Sequence, residues 1–227
     1  MLLLIAGSLM SQGLINTIPS WNGAAYVHDF GVPNTATYGQ TINVAAGTGP
    51  LASFGFEIGN CTANVSFRGE IYAWDGSLTR ATGPSLFESS VTSVASGSGF
   101  RLVTFNTGGL NLGPGNYVLF ATTSKDQGDA PNSACRWGSV SNTAYPGGNF
   151  VYISNGANTS LWTVPTEAVS WVVDPAQDLA FQVSLGQPAP APAPAGVPAA
   201  SPATLLLGVA GVISLGLLGL SRFRIAR

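Results

Sequence analysis

The chain has 227 residues, of which only 18 are charged, or 8%, against roughly 25% in an ordinary soluble domain. One lysine (Lys125) and a net charge of -2 exclude the basic clusters of a nucleic-acid binder and the charge density of a disordered polyelectrolyte. They also exclude the Glu-, Lys- and Arg-rich wet faces of a helical bundle, leaving a β-rich, turn-rich chain with 29 Gly and 15 Pro.

Residues 1–11 begin with an apolar run in which Ala6, Gly7 and Ser8 are small. This reads as the remnant of a signal peptide, although the first basic residue is Arg68 and no charged start precedes the run. The alternative is an apolar first strand.

Residues 12–186 form one domain, expected to be all-β: an antiparallel, jelly-roll-like β-sandwich of about eight to ten strands. Ala52, Phe54, Phe56 and Ile58 alternate with Ser53, Gly55 and Glu57. Val65, Phe67, Ile71 and Ala73 alternate with Ser66, Arg68, Glu70 and Tyr72. Each set predicts a half-buried strand with its polar residues in water. Residues 117–123 are apolar on both faces and predict a central strand. Leu179, Phe181, Val183 and Leu185 alternate with Ala180, Gln182 and Ser184. Asp75-Gly76, Pro114-Gly115 and Pro146-Gly147-Gly148 are turn signals, because Gly tolerates positive φ and the Pro ring presets a negative φ suited to turns.

Residues 187–203 are Pro- and Ala-rich, a semi-rigid polyproline II spacer that cannot form a core. Residues 204–221 are uncharged and apolar all round, long enough to span a bilayer, and are followed by Arg222, Arg224 and Arg227. Segment 204–227 therefore predicts one transmembrane helix with a cytoplasmic basic tail. The first 221 residues carry 5 basic and 10 acidic groups, so the exported part is mildly acidic.

Two cysteines, Cys61 and Cys135, suggest one disulfide in an oxidising compartment; the alternative is two buried thiols. The only histidine is His28 and no CxxC occurs, so no metal or other cofactor is implied. Asp126, Asp129 and Asn132 make residues 125–132 oxygen-rich. Their spacing is not that of an EF-hand, and a solvated loop is the simpler reading than a Ca²⁺ site. No nucleophilic triad is present and no catalytic residue is assigned. A carboxylate pair drawn from Glu57, Glu70, Glu88 and Glu167 is the alternative that would make a carbohydrate-active enzyme. Glu70 lies two residues from Arg68, which predicts a solvated strand face with a weak ion pair.

Trp74-Asp75 and Arg136-Trp137 each set a ring beside a polar group at a strand end, where loops carry function. These four are the candidate ligand-binding residues, for stacking a sugar ring. The competing use of Trp21, Trp74, Trp137, Trp162 and Trp171 is core packing.

The C-terminal segment runs Ser201, Pro202, Ala203, Thr204, then a Gly-rich apolar stretch, then Arg222 and Arg224. It resembles the PEP-CTERM sorting signal in a variant form: Ala200-Ser201-Pro202 stands where that signal has Pro-Glu-Pro. The segments FGVPNTATYGQT (30–41), YAWDG (72–76), ATGP (81–84), FNTGGL (105–110) and YPGGNF (145–150) resemble a domain common in such proteins. The resemblance implies export and handling by an exosortase, a membrane protease-transpeptidase, and implies no particular reaction. The expected protein is thus a non-enzymatic surface or extracellular-matrix protein, membrane-tethered or exosortase-processed. Its expected partners are the exosortase and export machinery, the membrane through its C-terminal helix, and extracellular polysaccharide. A purely structural envelope protein is a further alternative.

Overall fold

Short alternating runs between Gly, Asn and Pro clusters dictate strands, and strands are what the chain forms. A computed structural model describes residues 13–186. The signal-like segment 1–11, the linker 187–203 and the apolar segment 204–227 lie outside the described residues. So do Ser201, Pro202, Ala203, Thr204, Arg222, Arg224 and Arg227. No helix among the described residues is long and apolar enough to cross a membrane.

Fourteen strands are described. They begin β1 (Leu14–Asn16), β2 (Tyr26–Gly31), β3 (Thr37–Val44), β4 (Leu51–Gly59) and β5 (Val65–Asp75). The chain continues through β6 (Arg80–Glu88), β7 (Thr92–Val94), β8 (Arg101–Leu110), β9 (Gly115–Thr122) and β10 (Ala134–Ser141). It ends with β11 (Phe150–Ile153), β12 (Val172–Asp174), β13 (Gln177–Leu179) and β14 (Phe181–Leu185). They build two seven-stranded antiparallel sheets that face each other as a β-sandwich. Sheet one runs β1-β14-β4-β10-β13, with β2 also on β10 and β8 also on β4. Sheet two runs β12-β11-β3-β9-β5-β6, with β7 also on β5.

Fourteen exceeds the expected eight to ten because long strands serve two short partners each. β5 pairs with β6 through residues 70–75 and with β7 through residues 65–67. β13 pairs with β10 and β14 pairs with β4, with only Ala180 between them. Ala180 bonds both neighbours: its N–H donates to Gly138 O at 2.7 Å, and Glu57 N donates to its carbonyl at 2.9 Å.

The inner faces share one aromatic core. Trp137, on β10, lies 5.0 Å from Phe30 and 4.8 Å from Phe56, ring to ring. Phe105 of β8 crosses to sheet two and lies over Gly69 of β5, where a Cβ would sit 2.5 Å from its ring. A disulfide joins Cys61, just past β4, to Cys135 on β10, 74 residues apart.

A second core covers the outer face of sheet two. Trp162 and Trp171, from the long connection between β11 and β12, pack on Tyr72 of β5 and Phe120 of β9. This explains why β9 is apolar on both faces. Leu119 and Ala121 belong to the inner core, while Val118 and Phe120 belong to the outer one.

Two sequence expectations are corrected. Ala52 is exposed and Leu51 is buried in its place, because a register irregularity against β8 falls between Leu51 and Ser53 and reverses the pattern there. The polar face of β5 is not solvated: Glu70 is 0% exposed and Tyr72 is buried. The outer layer supplies the cover that local periodicity does not reveal.

Candidate functional site

The four candidate ligand-binding residues do not come together as one surface. Trp137 is fully buried, its ring enclosed by Phe30, Phe56 and Tyr38, and offers no face to a ligand. Trp74 is half-buried, edge-on to Trp171 at 5.4 Å. It borders a shallow depression of about 280 Å³ shared with Asn116 and Gly147. Asp75 is committed to its turn: Oδ1 accepts from Ser77 N at 2.9 Å, Ser77 Oγ at 2.6 Å and Leu78 N at 3.1 Å. The Ser77 hydroxyl and the Leu78 amide hold its pKa below the usual carboxylate value. Arg136 is exposed, with its guanidinium 4.2 Å from the centre of the Tyr26 ring.

Of the four candidate glutamates, Glu70 and Glu88 meet, as cross-strand partners on β5 and β6. Lys125 Nζ sits between them, 2.6 Å from Glu70 Oε1 and 2.7 Å from Glu88 Oε2. Burial raises the pKa of Glu70, against the opposing bonds from Lys125 and Ser85. The hydrogen bond from Lys125 lowers that of Glu88. Opposed shifts are the mark of an acid–base pair. Here, however, an ammonium occupies the space between the carboxylates, and Glu70 is closed to solvent. The arrangement joins β5, β6 and the end of β9 rather than opening a groove for a substrate.

The oxygen-rich loop is bound into the same network. Asp126 takes two bonds from Arg68, at 3.0 and 3.2 Å, and Asp129 accepts from Ser66 N at 2.6 Å. Asn132 takes the left-handed conformation, and its carbonyl accepts from Thr62 Oγ1. Its oxygens therefore serve protein donors. Among the described residues no group of three or more His, Cys, Asp or Glu could hold a metal ion.

The most site-like geometry lies elsewhere, at the lateral seam of the sandwich. A cleft of about 410 Å³ opens between β2 of sheet one and β3, β11 and β12 of sheet two. Such a volume suits a small ligand or one segment of a longer one. Tyr38 and Phe150, each 3% exposed, form its floor. Tyr26, 38% exposed, and the half-buried Tyr152 also line it. Asp29, Thr35, Asp174 and Gln177 supply the polar rim.

These groups are held in place by local chemistry. Tyr152 stacks on Phe150 at 5.6 Å with 24° between planes and leans on Tyr38 at 5.7 Å. The Tyr38 hydroxyl is raised far above its ordinary pKa by burial and by the nearby Asp29 charge, so it stays a neutral phenol. At the turn from β12 to β13, Asp174 Oδ1 accepts from Ala176 N at 2.9 Å and Oδ2 from Gln177 Nε2 at 3.1 Å. That turn carries the chain from sheet two to sheet one, which is why both residues reach the seam.

Sequence reasoning missed Tyr26, Asp29, Tyr38, Tyr152, Asp174 and Gln177. They come from five strands, and the only near neighbours in sequence are the pairs Tyr26/Asp29 and Asp174/Gln177. No family model matches the chain, and neither a curated protein nor a solved structure matches it.

Proposed function

We propose that the chain is an exported surface or extracellular-matrix protein that acts without catalysis and associates with polysaccharide. The observation that carries this reading is the Cys61–Cys135 disulfide inside a charge-poor β-sandwich. A bridge of this kind persists where the surroundings are oxidising, outside the cytoplasm. The uncharged segment 204–221 with Arg222, Arg224 and Arg227 behind it supports a C-terminal membrane helix. The variant sorting motif at Ser201, Pro202, Ala203 and Thr204 supports processing by an exosortase. We read the two facing sheets, with β1 beside β14, as jelly-roll-like. The carbohydrate-active alternative loses support from Lys125, which stands between the two glutamates that meet.

Cell fractionation with mass spectrometry of the mature C-terminus tests the reading. The expected product is either the full chain in the membrane fraction or a surface-released chain ending near Ser201. A reduced protein in the cytoplasmic fraction would overturn it.

A further inference from the structure

Uncharged saccharides present two kinds of surface: an apolar C–H face and a rim of hydroxyls. A site that takes them needs aromatic faces for the first and fixed hydrogen-bonding groups for the second, in a recess that keeps water out. The seam cleft offers both. Two tyrosines, Tyr26 and Tyr152, line the same recess as the carboxylate residues Asp29 and Asp174 and the amide residue Gln177. We propose that this cleft binds a segment of an uncharged polysaccharide. The proposal rests on the polysaccharide reading above and names its site and the class of glycan.

Three features favour this over an ordinary surface recess. First, the rings are braced before any ligand arrives: Arg136 lies 4.2 Å from the Tyr26 ring and Phe150 stacks on Tyr152 at 5.6 Å. Rigid platforms lose little conformational entropy on binding. Second, two of the rim groups, Asp174 and Gln177, come from the turn that joins the two sheets, where a hydrogen bond from Ala176 N and one between their side chains fix them to the scaffold. Third, the charge selects. Two carboxylates, Asp29 and Asp174, border the cleft against one neighbouring cation, the Arg136 guanidinium held over the Tyr26 ring. Asp174, whose partners are neutral amides, would repel a uronate- or sulfate-bearing chain, whereas hydroxyl groups donate to carboxylates.

The test uses the full chain in non-ionic detergent, run on native gels containing galactomannan, a soluble β-glucan, dextran or alginate. The proposal expects retardation by at least one of the three neutral polymers and none by alginate. Tyr26→Ala and Asp174→Asn should each weaken that retardation about tenfold, the loss of roughly 1.4 kcal/mol of binding. Leu78→Ala, on the distant β5–β6 turn, should leave it unchanged. Thermal melts of each variant establish that the fold is kept. Retardation that survives both cleft variants would overturn the cleft as the site while leaving polysaccharide association standing. Retardation by alginate alone would overturn the charge selection. No retardation of the unaltered chain by any polymer would overturn both proposals.

Discussion

Lys125, the only lysine in the chain, sets its ammonium 2.6 Å from Glu70, a carboxylate with no solvent exposure. The same Nζ lies 5.5 Å from the centre of the Trp162 ring, so one side chain links the ionic network to the outer aromatic layer. Replacing it strands Glu70. Lys125→Met is expected to destabilise the fold by about 2 kcal/mol at pH 7. That is less than the roughly 3–5 kcal/mol of a fully buried pair, because the lysine end is partly wet. Glu70 would then fold best protonated, so the deficit should shrink as pH falls toward 5. Denaturant unfolding of both proteins at two pH values measures it, and a deficit independent of pH would refute the role given to Glu70.

Asp178 is a second buried carboxylate, paired with amides rather than with a cation. Gln40 Nε2 donates to Oδ1 at 2.8 Å and Tyr145 N to Oδ2 at 3.0 Å. Burial outweighs both and lifts its pKa from 3.8 to about 6. A raised acid favours folding while it is protonated in both states. Stability is then lost as pH rises from about 4 to about 6, because the unfolded chain releases its proton first. The loss attached to this residue is about 3 kcal/mol. Asp178→Asn should remove that part of the pH slope, leaving the smaller contributions of Glu57 and Glu70, which shift in the same direction. An unaltered slope in the variant would show that Asp178 does not titrate this way.

The Cys61–Cys135 bond closes a loop of 74 residues. On chain-entropy grounds its loss costs about 4 kcal/mol. Cys61→Ser with Cys135→Ser should therefore lower the unfolding free energy by that order in denaturant titrations. Reducing the unaltered protein should produce a similar fall. Thiol labelling of the denatured, unreduced chain should find no free cysteine.

Trp162 carries the outer layer. It is 2% exposed, donates from Nε1 to Thr37 Oγ1 at 3.1 Å, and accepts at its carbonyl from Trp171 Nε1 at 2.9 Å. Trp162→Ala is expected to cost about 3–5 kcal/mol. It should also raise hydrogen exchange across β9 and the outer side of β5 more than in sheet one. Uniform loosening of both sheets would contradict a separable second core.

Much of this fold could be read from local pattern. Phe181, Val183 and Leu185 are buried on β14, as their alternation predicts, although Leu179 falls on β13 and Ala180, expected to face outward, is buried between the two strands; the Asp75-Gly76 turn joins β5 to β6. The cysteine pairing was also legible, since only two cysteines exist. What escaped was set at long range. Glu70 reads as a wet residue because nothing near it in sequence announces Trp162 or Lys125. Ala52 reads as inward because a register irregularity leaves no mark in composition. The seam cleft was invisible for the same reason: Tyr26, Tyr38 and Tyr152 become neighbours only once two sheets are paired and stacked. Trp137 misled in the opposite sense, since a ring next to Arg136 looks like a binding pair until the strand's alternation sends the two side chains to opposite faces.

β1 and β14 lie side by side, and Leu185 N donates to Gly13 O at 2.8 Å. The two ends of the sandwich are thus already neighbours, and the order in which the chain threads its strands is separable from the arrangement they reach. Residues 13 and 185 joined by a few glycines, with new ends opened between Ser77 and Leu78, would keep every strand pair described above. Such a circular permutant should fold to the same sandwich with the same disulfide, differing mainly in the route by which it gets there.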